Sequence, residues 1–363
     1  MHHGRLGNYS LKINRNMKIL ITGNQGYIGP IVSEHLKRLG ATIIGLDTGL
    51  FDSCSNSQIV SPDHFVDFQI NKDVRHIQEE DLKNINHVIY LSAISNDPMG
   101  AEFESITNEI NNNCAVRCAK LAKSVGVESF VFASSCSVYG AAGDGKIRDE
   151  GSPLNPVTAY AHSKIDAEKN LNLLADNKFK ITCLRFATAC GFSPRLRLDL
   201  VLNDFVASAI LNKEIKILSD GSPWRPLIHV KDMARAIEWA ITRETDCGDF
   251  LALNVGDEKW NYQIKDLANA IANLIPGTKV SINKDAAPDK RSYKVSFKLL
   301  EELAPNHKPI VTLDEAIKDL SLGINNFIES QNQFTVNNTI RLAKLRDLLN
   351  NNYVDKSLNW LNK

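Results

Sequence analysis

One stretch decides the fold of this chain: Met17-Lys18-Ile19-Leu20-Ile21-Thr22-Gly23-Asn24-Gln25-Gly26-Tyr27-Ile28-Gly29. Its first six residues are mostly apolar or β-branched and predict a buried strand. In the turn that follows, Gly23 permits a tight bend and Gly26 lets backbone amides approach a pyrophosphate, while Gly29 lets the next helix pack close to the sheet. The N-terminus of that helix carries unpaired N–H groups and a positive dipole end, so it favours an anion.

A second signal lies at the end of the next predicted strand. The segment Ala41-Thr42-Ile43-Ile44-Gly45-Leu46 ends at Asp47, at the distance from the glycines where a dinucleotide-binding fold places an acidic residue. Its carboxylate can hydrogen-bond an adenosine ribose and would repel a 2′-phosphate, so the pattern favours NAD over NADP. Asp47 could instead begin a surface turn with Thr48 and Gly49, and this alternative stays open.

Strand-like and helix-like stretches alternate along the chain. Strands are predicted near 17–22, 41–47, 64–68, 87–92, 129–134, 180–186 and 250–255, and helices over 27–39, 100–125, 158–175, 199–212 and 230–243. This alternation predicts an α/β fold, namely a Rossmann-type doubly wound parallel sheet with a smaller α+β substrate domain. We expect a disordered extension over 1–16 and an NAD-binding domain over 17–187. A substrate domain over 188–330, with some strands or helices returning to the first, and a C-terminal helical segment over 331–363 complete the prediction.

Composition excludes several classes of protein. The 42 basic and 42 acidic residues balance, so no net charge directs the chain to nucleic acid or to an anionic membrane. The seven cysteines form an odd set without a C-x-x-C pair, which argues against a disulfide framework and against a metal site. No apolar run approaches the roughly 18 residues of a membrane span. The N-terminus also lacks a hydrophobic signal segment, so a cytoplasmic location is expected.

The chemistry is indicated by Tyr160 and Lys164, in the run Tyr160-Ala161-His162-Ser163-Lys164. On a helix these two positions share a face, so the phenol and the ammonium can point into one cleft. The cation would stabilise the phenolate and lower the tyrosine pKa from about 10. Ser135, in Ser134-Ser135-Cys136-Ser137-Val138-Tyr139-Gly140, completes a trio suited to hydride transfer coupled to proton transfer. His162 projects from another face, and we expect it to be structural.

These motifs resemble the extended short-chain dehydrogenases/reductases, in the nucleotide-sugar epimerase and dehydratase branch, over roughly residues 17–300. Further matching pieces are Leu91-Ser92-Ala93 after a strand, Leu184-Arg185-Phe186, and the run Ile228-His229-Val230-Lys231-Asp232. The resemblance implies Tyr160 as acid/base, Lys164 as the residue that holds the nicotinamide ribose, and Ser135 as the hydrogen-bond partner of the reacting oxygen. It also implies NAD contacts from Gly23, Asn24, Gln25, Gly26, Tyr27, Ile28, Gly29, Asp47, Asp73, Val74, Leu91, Ser92 and Ala93, with Asp73 and Val74 at the adenine.

A separate set of residues is expected to bind the substrate. The resemblance implies Arg225 and Arg291 as binders of a substrate diphosphate, which a guanidinium fork suits. Thr188 is also placed at the substrate, although the family usually has Asn there. The basic stretch Ser193-Pro194-Arg195-Leu196-Arg197-Leu198-Asp199 could clamp a diphosphate through Arg195, or its arginines could pair with nearby carboxylates in a solvated loop. Asn96 could contact the sugar or cap the helix after Met99.

We therefore expect an NAD-dependent nucleotide-sugar epimerase that acts through a transient keto sugar. A net oxidoreductase, either a keto-sugar reductase or a dehydrogenase, shares every motif and stays open. A dehydratase is disfavoured because Cys136 and Ser137 stand where family dehydratases usually have an Asp-Glu pair, and Cys136 is expected to be buried and inert. A non-catalytic NAD-binding regulator is disfavoured because the trio is intact. The resemblance further implies a homodimer that pairs the helices 100–125 and 158–175 of each chain.

Overall fold

The computed structural model describes residues 13–52, 65–141, 145–244, 247–283, 285–286, 292–330 and 339–361. The strands are β1 Lys18–Thr22, β2 Thr42–Asp47, β3 Phe68–Asn71, β4 His87–Tyr90, β5 Ser129–Ser135, β6 Ile147–Arg148, β7 Lys180–Phe186, β8 Thr188–Cys190, β9 Glu214–Ile217, β10 Trp224–His229, β11 Phe250–Val255, β12 Asn261–Gln263, β13 Lys279–Ile282 and β14 Lys294–Val295. The helices are α1 Gly29–Arg38, α2 Asp97–Glu102, α3 Glu104–Asn108, α4 Ala115–Ser124, α5 Ala159–Asn172, α6 Val201–Asn212, α7 Val230–Thr242, α8 Ile264–Leu274, α9 Lys298–Leu303, α10 Leu313–Ser330 and α11 Arg341–Asn350, and a π-helical turn, Glu109–Cys114, joins α3 to α4.

A seven-stranded sheet in the order β11-β7-β5-β4-β1-β2-β3 forms the centre of the molecule. Every neighbouring pair in it is parallel. From β1 the chain first adds β2 and β3 on one side and then adds β4, β5, β7 and β11 on the other side. Doubly wound folds bind their ligands in the crevice at the point where this order reverses. The predicted α/β class and Rossmann-type sheet are confirmed. The strand β11 comes from the second half of the chain and pairs with β7 at the outer edge.

Both faces of this sheet are buried, because successive side chains of a strand point to opposite sides. In β1, Ile19 and Ile21 belong to one core cluster and Leu20 to another. The first cluster includes side chains of α1 and α7, and the second includes side chains of α4 and α5. Each fully buried aliphatic side chain contributes about 1.5–3 kcal/mol. The two layers of helices therefore fix the sheet, and the ends of its strands with it.

The second half of the chain contributes smaller sheets and a third core. Strands β12, β10 and β8 form one sheet, while β13 pairs with β9 and β14 with β6. A separate hydrophobic cluster gathers side chains of α6, α8, α10 and β9. This part faces the carboxyl ends of the central strands, and a cavity lined by both lies between the two.

Several expected elements need correction. Residues 13–16 are not disordered, since Ile13 is buried in the core and the Met17 amide donates to the Asn14 carbonyl, whereas residues 1–12 lie outside the described residues. The third strand begins at Phe68, later than expected. The helix predicted over 100–125 is broken at Phe103, whose φ is −119°, and again by the π-helical turn. Apolar periodicity shows which face is buried and does not show how each turn is wound.

Two further observations bear on the classes of protein considered above. None of the helices in the described part of the chain is long and apolar enough to cross a membrane. Among the same residues, no group of three or more His, Cys, Asp or Glu side chains is arranged to hold a metal ion.

Candidate functional site

A cavity of about 910 Å³ opens at the carboxyl ends of the central strands. Small-molecule sites usually range from about 300 to 1,000 Å³, so this one is large enough for more than one small ligand. Its lining comes from the glycine turn after β1, the ends of β2, β4 and β5, the start of α5, and the segments around β8, β9 and β10.

The glycine turn is packed so closely that no side chain fits at Gly23 or Gly29. Gly23 has a φ of +74°, and a Cβ atom there would lie 2.7 Å from the Ser92 amide nitrogen. A Cβ on Gly29 would lie 2.2 Å from the Asn24 carbonyl oxygen. Helix α1 begins directly after the turn, and no side chain caps its N-terminus. Its first amides are therefore available to an anion, and this cradle fits the pyrophosphate of a dinucleotide.

Most residues predicted to contact NAD surround one half of the cavity. Those that line it are Gly23, Gly26, Tyr27, Ile28, Gly29, Asp47, Asp73, Val74, Leu91, Ser92 and Ala93. Asn24 and Gln25 are absent from the lining. The Asn24 side-chain amide donates to Gln69 Oε1 at 2.8 Å, and the Gln25 backbone N–H donates to Asp47 Oδ2 at 3.0 Å. These two residues hold the shape of the turn.

Asp47 lies in the cavity and also organises the backbone around it. Its Oδ1 accepts from the Gly49 amide at 2.9 Å, so the turn with Gly49 that was kept as an alternative does form. Burial raises the pKa of the Asp47 carboxyl, and hydrogen bonds from the Gly49 and Gln25 amides oppose that rise. The carboxylate therefore stands at the end of β2, where a ribose would be recognised.

The three residues predicted to be catalytic, Ser135, Tyr160 and Lys164, come together on one wall of the cavity. Helix α5 begins where the Thr158 hydroxyl accepts from the Ala161 amide at 3.1 Å, and this cap sets the direction of Tyr160 and Lys164. The Lys164 ammonium donates to the Ala133 carbonyl at 2.8 Å and lies 5.6 Å from the centroid of the Tyr160 ring. Ser135, at the end of β5, lines the same wall.

The pKa values on this wall are set mainly by burial. Desolvation raises the pKa of Tyr160 to about 12, while a hydrogen bond with Ser135 and the charge of Arg197 lower it. Desolvation also lowers the pKa of Lys164 to about 7. The expected lowering of the tyrosine pKa below its ordinary value is therefore wrong for this structure. Removing water from the phenolate outweighs the neighbouring cations, and Arg197, which was not assigned this role, is the cation that lowers the Tyr160 pKa.

Asn111 supports the trio from the π-helical turn. Its side-chain Nδ2 donates to Ser163 Oγ at 3.0 Å and to the Ile94 backbone carbonyl at 3.1 Å. Its Oδ1 accepts from the Ile94 backbone N–H at 2.9 Å. These bonds tie α5, next to Lys164, to the loop after β4. Sequence reasoning missed this residue, because the extra residue in a π-helical turn redirects side chains without an apolar signal.

The buried pair Glu168–Arg185 lies beneath the end of β5. The guanidinium and the carboxylate approach to 2.6 Å, and the Ser134 hydroxyl donates to the same carboxylate. Both charged groups are almost fully buried, so each one depends on the other for its solvation. This pair fixes the backbone immediately before Ser135.

The predicted substrate residues divide into three groups. Asn96, Ser135, Thr188 and Arg225 line the cavity, Arg195 does not, and Arg291 lies outside the described residues. The structure confirms that Asn96 caps a helix, whereas its contact with the sugar stays a prediction. Its Oδ1 caps α2 by accepting from the Met99 amide at 2.9 Å, and its Nδ2 donates to Asp199 Oδ2 at 2.8 Å.

The two arginines of the basic stretch have different positions. Arg195 donates to the Phe51 carbonyl at 2.9 Å and pairs with Asp52, so it anchors the loop after β2. Arg197 lines the cavity and pairs with Asp199 through two hydrogen bonds of 2.9 and 2.8 Å, and it also donates to Ser95 Oγ at 2.9 Å. Both arginines pair with carboxylates, Arg195 with Asp52 and Arg197 with Asp199, as the alternative expected. Both are buried, so the expected exposure of the loop to solvent is wrong. Of the two arginines in this basic stretch, Arg197 is the one that lines the cavity.

Cys136 and Ser137 face different surroundings. The Cys136 thiol is buried and donates to the Arg185 carbonyl at 3.0 Å, and burial raises its pKa, as expected for an inert thiol. Ser137 lines the cavity instead. The position where a dehydratase would carry a carboxylate thus holds a neutral hydroxyl.

The sequence matches the model of the NAD dependent epimerase/dehydratase family over residues 19–256. A putative UDP-glucose 4-epimerase of Methanocaldococcus jannaschii is 24% identical over 307 residues, which cover 83% of this chain and 96% of the relative. Two solved structures share the fold at 21% identity. MoeE5 in complex with UDP-glucose and NAD has a TM-score of 0.71, covering 86% of this chain and 99% of that one. TunA, an NAD-dependent NDP-hexosamine 5,6-dehydratase, has a TM-score of 0.73, covering 85% and 98%.

Proposed function

Because the chain belongs to the NAD dependent epimerase/dehydratase family, we propose that it is an enzyme that epimerises a nucleotide sugar through a transient keto sugar. The dependence of this family on NAD makes NAD the cofactor. One observation carries the proposal: Ser135, Tyr160 and Lys164 line a cavity that continues without a break to the glycine turn. Groups that can move a proton and a cradle that fits a dinucleotide therefore share one cavity.

Each residue of the trio has a defined task in this proposal. When bound, NAD supplies the acceptor and the donor of hydride for the sugar carbon. Tyr160 would act as a phenolate, which the positive charge of the nicotinamide of bound NAD would stabilise against the desolvation that raises its pKa. The phenolate would remove the proton of the sugar hydroxyl and return it to the keto oxygen at the end of the cycle. The Ser135 hydroxyl hydrogen-bonds that same oxygen and orients it. Lys164 holds the nicotinamide ribose.

The substrate half of the cavity offers groups that suit a nucleotide diphosphate sugar. Arg225 lines it, with its guanidinium 5.9 Å from the centroid of the Tyr293 ring, and would bind the diphosphate. Asn96, Thr188 and Arg197 lie near the trio and would contact the sugar. Since a relative is named as a putative UDP-glucose 4-epimerase, UDP-glucose is the first substrate to test.

Dehydration is the less favoured outcome. A dehydratase needs a further acid and base at the sugar, and the hydroxyl of Ser137 is a poor substitute for a carboxylate. Two carboxylates that line the cavity already serve other partners: Asp97 accepts from the Thr158 hydroxyl at 2.7 Å, and Asp199 accepts from Arg197. A net oxidoreductase uses the same trio, so the stoichiometry of the cofactor has to decide between it and the epimerase.

The test is to incubate the purified protein with UDP-glucose and to follow the sugar by NMR and the cofactor by absorbance. We expect a C4 epimer to form without stoichiometric production of NADH, and Tyr160→Phe to lower kcat by about 10²–10⁴-fold. Tyr353→Phe, at an exposed tyrosine, is the matched control and should leave turnover unchanged. Wild-type turnover in Tyr160→Phe would overturn the assignment of the base. Oxidation of the sugar with one NADH per product would make the protein a dehydrogenase.

A further inference from the structure

The C-terminal segment, residues 339–361, lies against the cofactor half of the cavity. It consists of Thr339 and Ile340, helix α11 and an irregular tail over 351–361, and it lies beyond the 19–256 match to the family. Four of its residues line the cavity: Ile340, Arg341, Leu342 and Leu358. The segment is thus part of the wall, although it is distant in sequence from all the predicted NAD contacts.

Hydrogen bonds attach the tail to the two loops that carry the predicted adenosine contacts. Arg75, which is paired with Asp73 at 2.7 Å, donates to the Ser357 carbonyl at 2.7 Å and to the Leu358 carbonyl at 3.4 Å. The Trp360 indole N–H donates to the Thr48 carbonyl at 2.8 Å, one residue after Asp47. The tail therefore joins the loops after β2 and β3 across the end of the cavity.

Leu358 occupies an unusual conformation for a leucine. Its φ is +59°, in the left-handed region that favours glycine, and its side chain is fully buried at the cavity wall. Asp355 holds this turn, since its Oδ1 accepts from the amides of Ser357 at 2.8 Å and Asn359 at 2.9 Å. Glycine or asparagine would form the same turn with less strain. The Leu358 side chain belongs to the same core cluster as Leu345 and Leu348, so it supplies apolar packing where the tail meets the cavity wall.

Helix α11 is anchored at its first residue. Arg341 is buried, donates to the Arg195 carbonyl at 2.8 Å, and lies 4.8 Å from the centroid of the Phe51 ring. Arg195 in turn donates to the Phe51 carbonyl. The loop after β2 is thus held at both ends of the C-terminal segment, by Arg341 and by Trp360.

We propose that the C-terminal segment is part of the cofactor site, with Leu358 as an apolar wall for the adenine of NAD. The tail must move away from Arg75 and Thr48 before the adenosine half can leave, so the segment slows NAD release. This inference rests on the proposed function, which takes NAD as the cofactor. It suits an epimerase, because a cofactor that is regenerated in each cycle has no need to exchange.

The first measurement is the rate at which bound NADH leaves when excess NAD displaces it, followed by stopped-flow fluorescence. We expect Leu358→Ala and Trp360→Phe to release NADH at least tenfold faster than the wild type. Lys356→Ala changes an exposed residue of the same tail and should release it at the wild-type rate. Point variants are preferable to removal of the tail, because Leu345, Leu348, Val354 and Leu358 itself all belong to the core. Urea unfolding of Leu358→Ala shows that the variant is folded, and Trp360→Phe tests the same tail without shortening Leu358.

The second measurement locates the effect within the cofactor. Leu358→Ala should bind AMP at least fivefold more weakly than the wild type and should bind nicotinamide mononucleotide equally well. Hydrogen exchange of the amides in 340–361 should slow when NADH is added to the wild type. If the wild type binds NADH but Leu358→Ala releases it at the wild-type rate, the C-terminal segment is no part of the site and the proposed function stands. If the wild type binds neither NADH nor AMP, the proposed function itself fails.

Discussion

Lys164 carries an ammonium on a buried helix face, where its surroundings are mostly apolar or aromatic. Its Nζ lies 4.6 Å from the centroid of the Phe132 ring and has the Ala133 carbonyl as a hydrogen-bond acceptor. Desolvation lowers its pKa from 10.5 to about 7. The group that we propose to hold the nicotinamide ribose thus lies in a place that disfavours its charge, as is common at functional sites.

This shift predicts how Lys164→Met changes stability with pH. Between pH 7 and pH 10.5 the unfolded chain keeps a proton that the folded chain has lost, so stability of the wild type rises with pH across that range. The destabilisation of the folded protein by the buried Lys164 charge is complete below pH 7 and disappears above pH 10.5. Lys164→Met should therefore raise the free energy of unfolding by up to about 5 kcal/mol at pH 6 and by little at pH 10, while activity falls.

Urea unfolding at pH 6 and pH 10 measures the effect of this substitution. Lys356→Met, at an exposed lysine, serves as the control and should show the same small change at both pH values. A stabilisation by Lys164→Met that is equal at the two pH values, or larger at pH 10, would contradict the role of desolvation.

At the residue level, the sequence predicts side chains best where regular structure fixes their direction. The positions of Tyr160 and Lys164 follow from the helical period, and both line the cavity. Arg195 and Arg197 lie in an irregular segment between β8 and α6, where no period tells which one faces inward. Local spacing alone therefore cannot choose between them, and the choice requires the packed structure.

At the level of elements, α2 supports α5 at Tyr160, the proposed acid/base. A Cβ on Gly100 of α2 would lie 3.1 Å from both the Cβ and the backbone nitrogen of Tyr160. The two helices meet at this point because glycine has no side chain. The Thr158 hydroxyl, which caps α5, also donates to Asp97 at the start of α2.

Gly100→Ala should separate activity from stability. The added methyl group pushes Tyr160 by a few tenths of an ångström, and we expect kcat to fall by about tenfold, since small misplacements of reacting groups are costly. Stability should stay within about 1 kcal/mol of the wild type, because alanine is the better helix former. Gly151→Ala, whose methyl would lie 3.6 Å from its nearest neighbour, is the control. Full turnover in Gly100→Ala would show that this contact does not position Tyr160.

The regular elements were largely predictable, and the exceptions share a physical cause. Strands β1, β2, β5, β7 and β11 lie within a residue of their predicted bounds, because buried parallel strands give continuous apolar runs. The π-helical turn was not predicted. Asn111 in this turn makes tertiary hydrogen bonds to Ile94 and Ser163, and such long-range bonds are encoded in no local pattern.

At the level of the whole molecule, Tyr27 connects the glycine turn to the second half of the chain. Its hydroxyl donates to the Gly191 carbonyl at 2.6 Å and accepts from the Asn203 amide at 3.0 Å. The Ser193 hydroxyl donates to the Tyr27 carbonyl at 2.7 Å. These bonds hold the cofactor half of the cavity to the substrate half.

Tyr27→Phe should therefore loosen the two halves together. Loss of the hydroxyl leaves buried partners unsatisfied, and we expect the free energy of unfolding to fall by about 1–3 kcal/mol and KM for the nucleotide sugar to rise. Urea unfolding and steady-state kinetics measure the two effects. Tyr353→Phe at the surface should change stability by less than about 0.5 kcal/mol. An unchanged KM in Tyr27→Phe would mean that the Tyr27 hydroxyl does not set the geometry of the substrate half.

Contacts between distant parts of the chain were the least predictable level. Two hydrogen bonds, from Arg75 to the Ser357 carbonyl and from Trp360 to the Thr48 carbonyl, join segments that share no sequence pattern. Backbone carbonyls accept both bonds, and any residue type supplies a carbonyl. The sequence therefore indicated helices at the C-terminus without indicating where they would lie.

The place of β11 at the edge of the central sheet has a consequence for synthesis. A chain growing on the ribosome must extend past Val255 before the outer edge of β7 acquires its neighbour. Until then, the amides and carbonyls along that edge can join those of other nascent chains. Translation that stops before Phe250 therefore yields an aggregation-prone product, because the sheet is completed only by residues encoded late in the message.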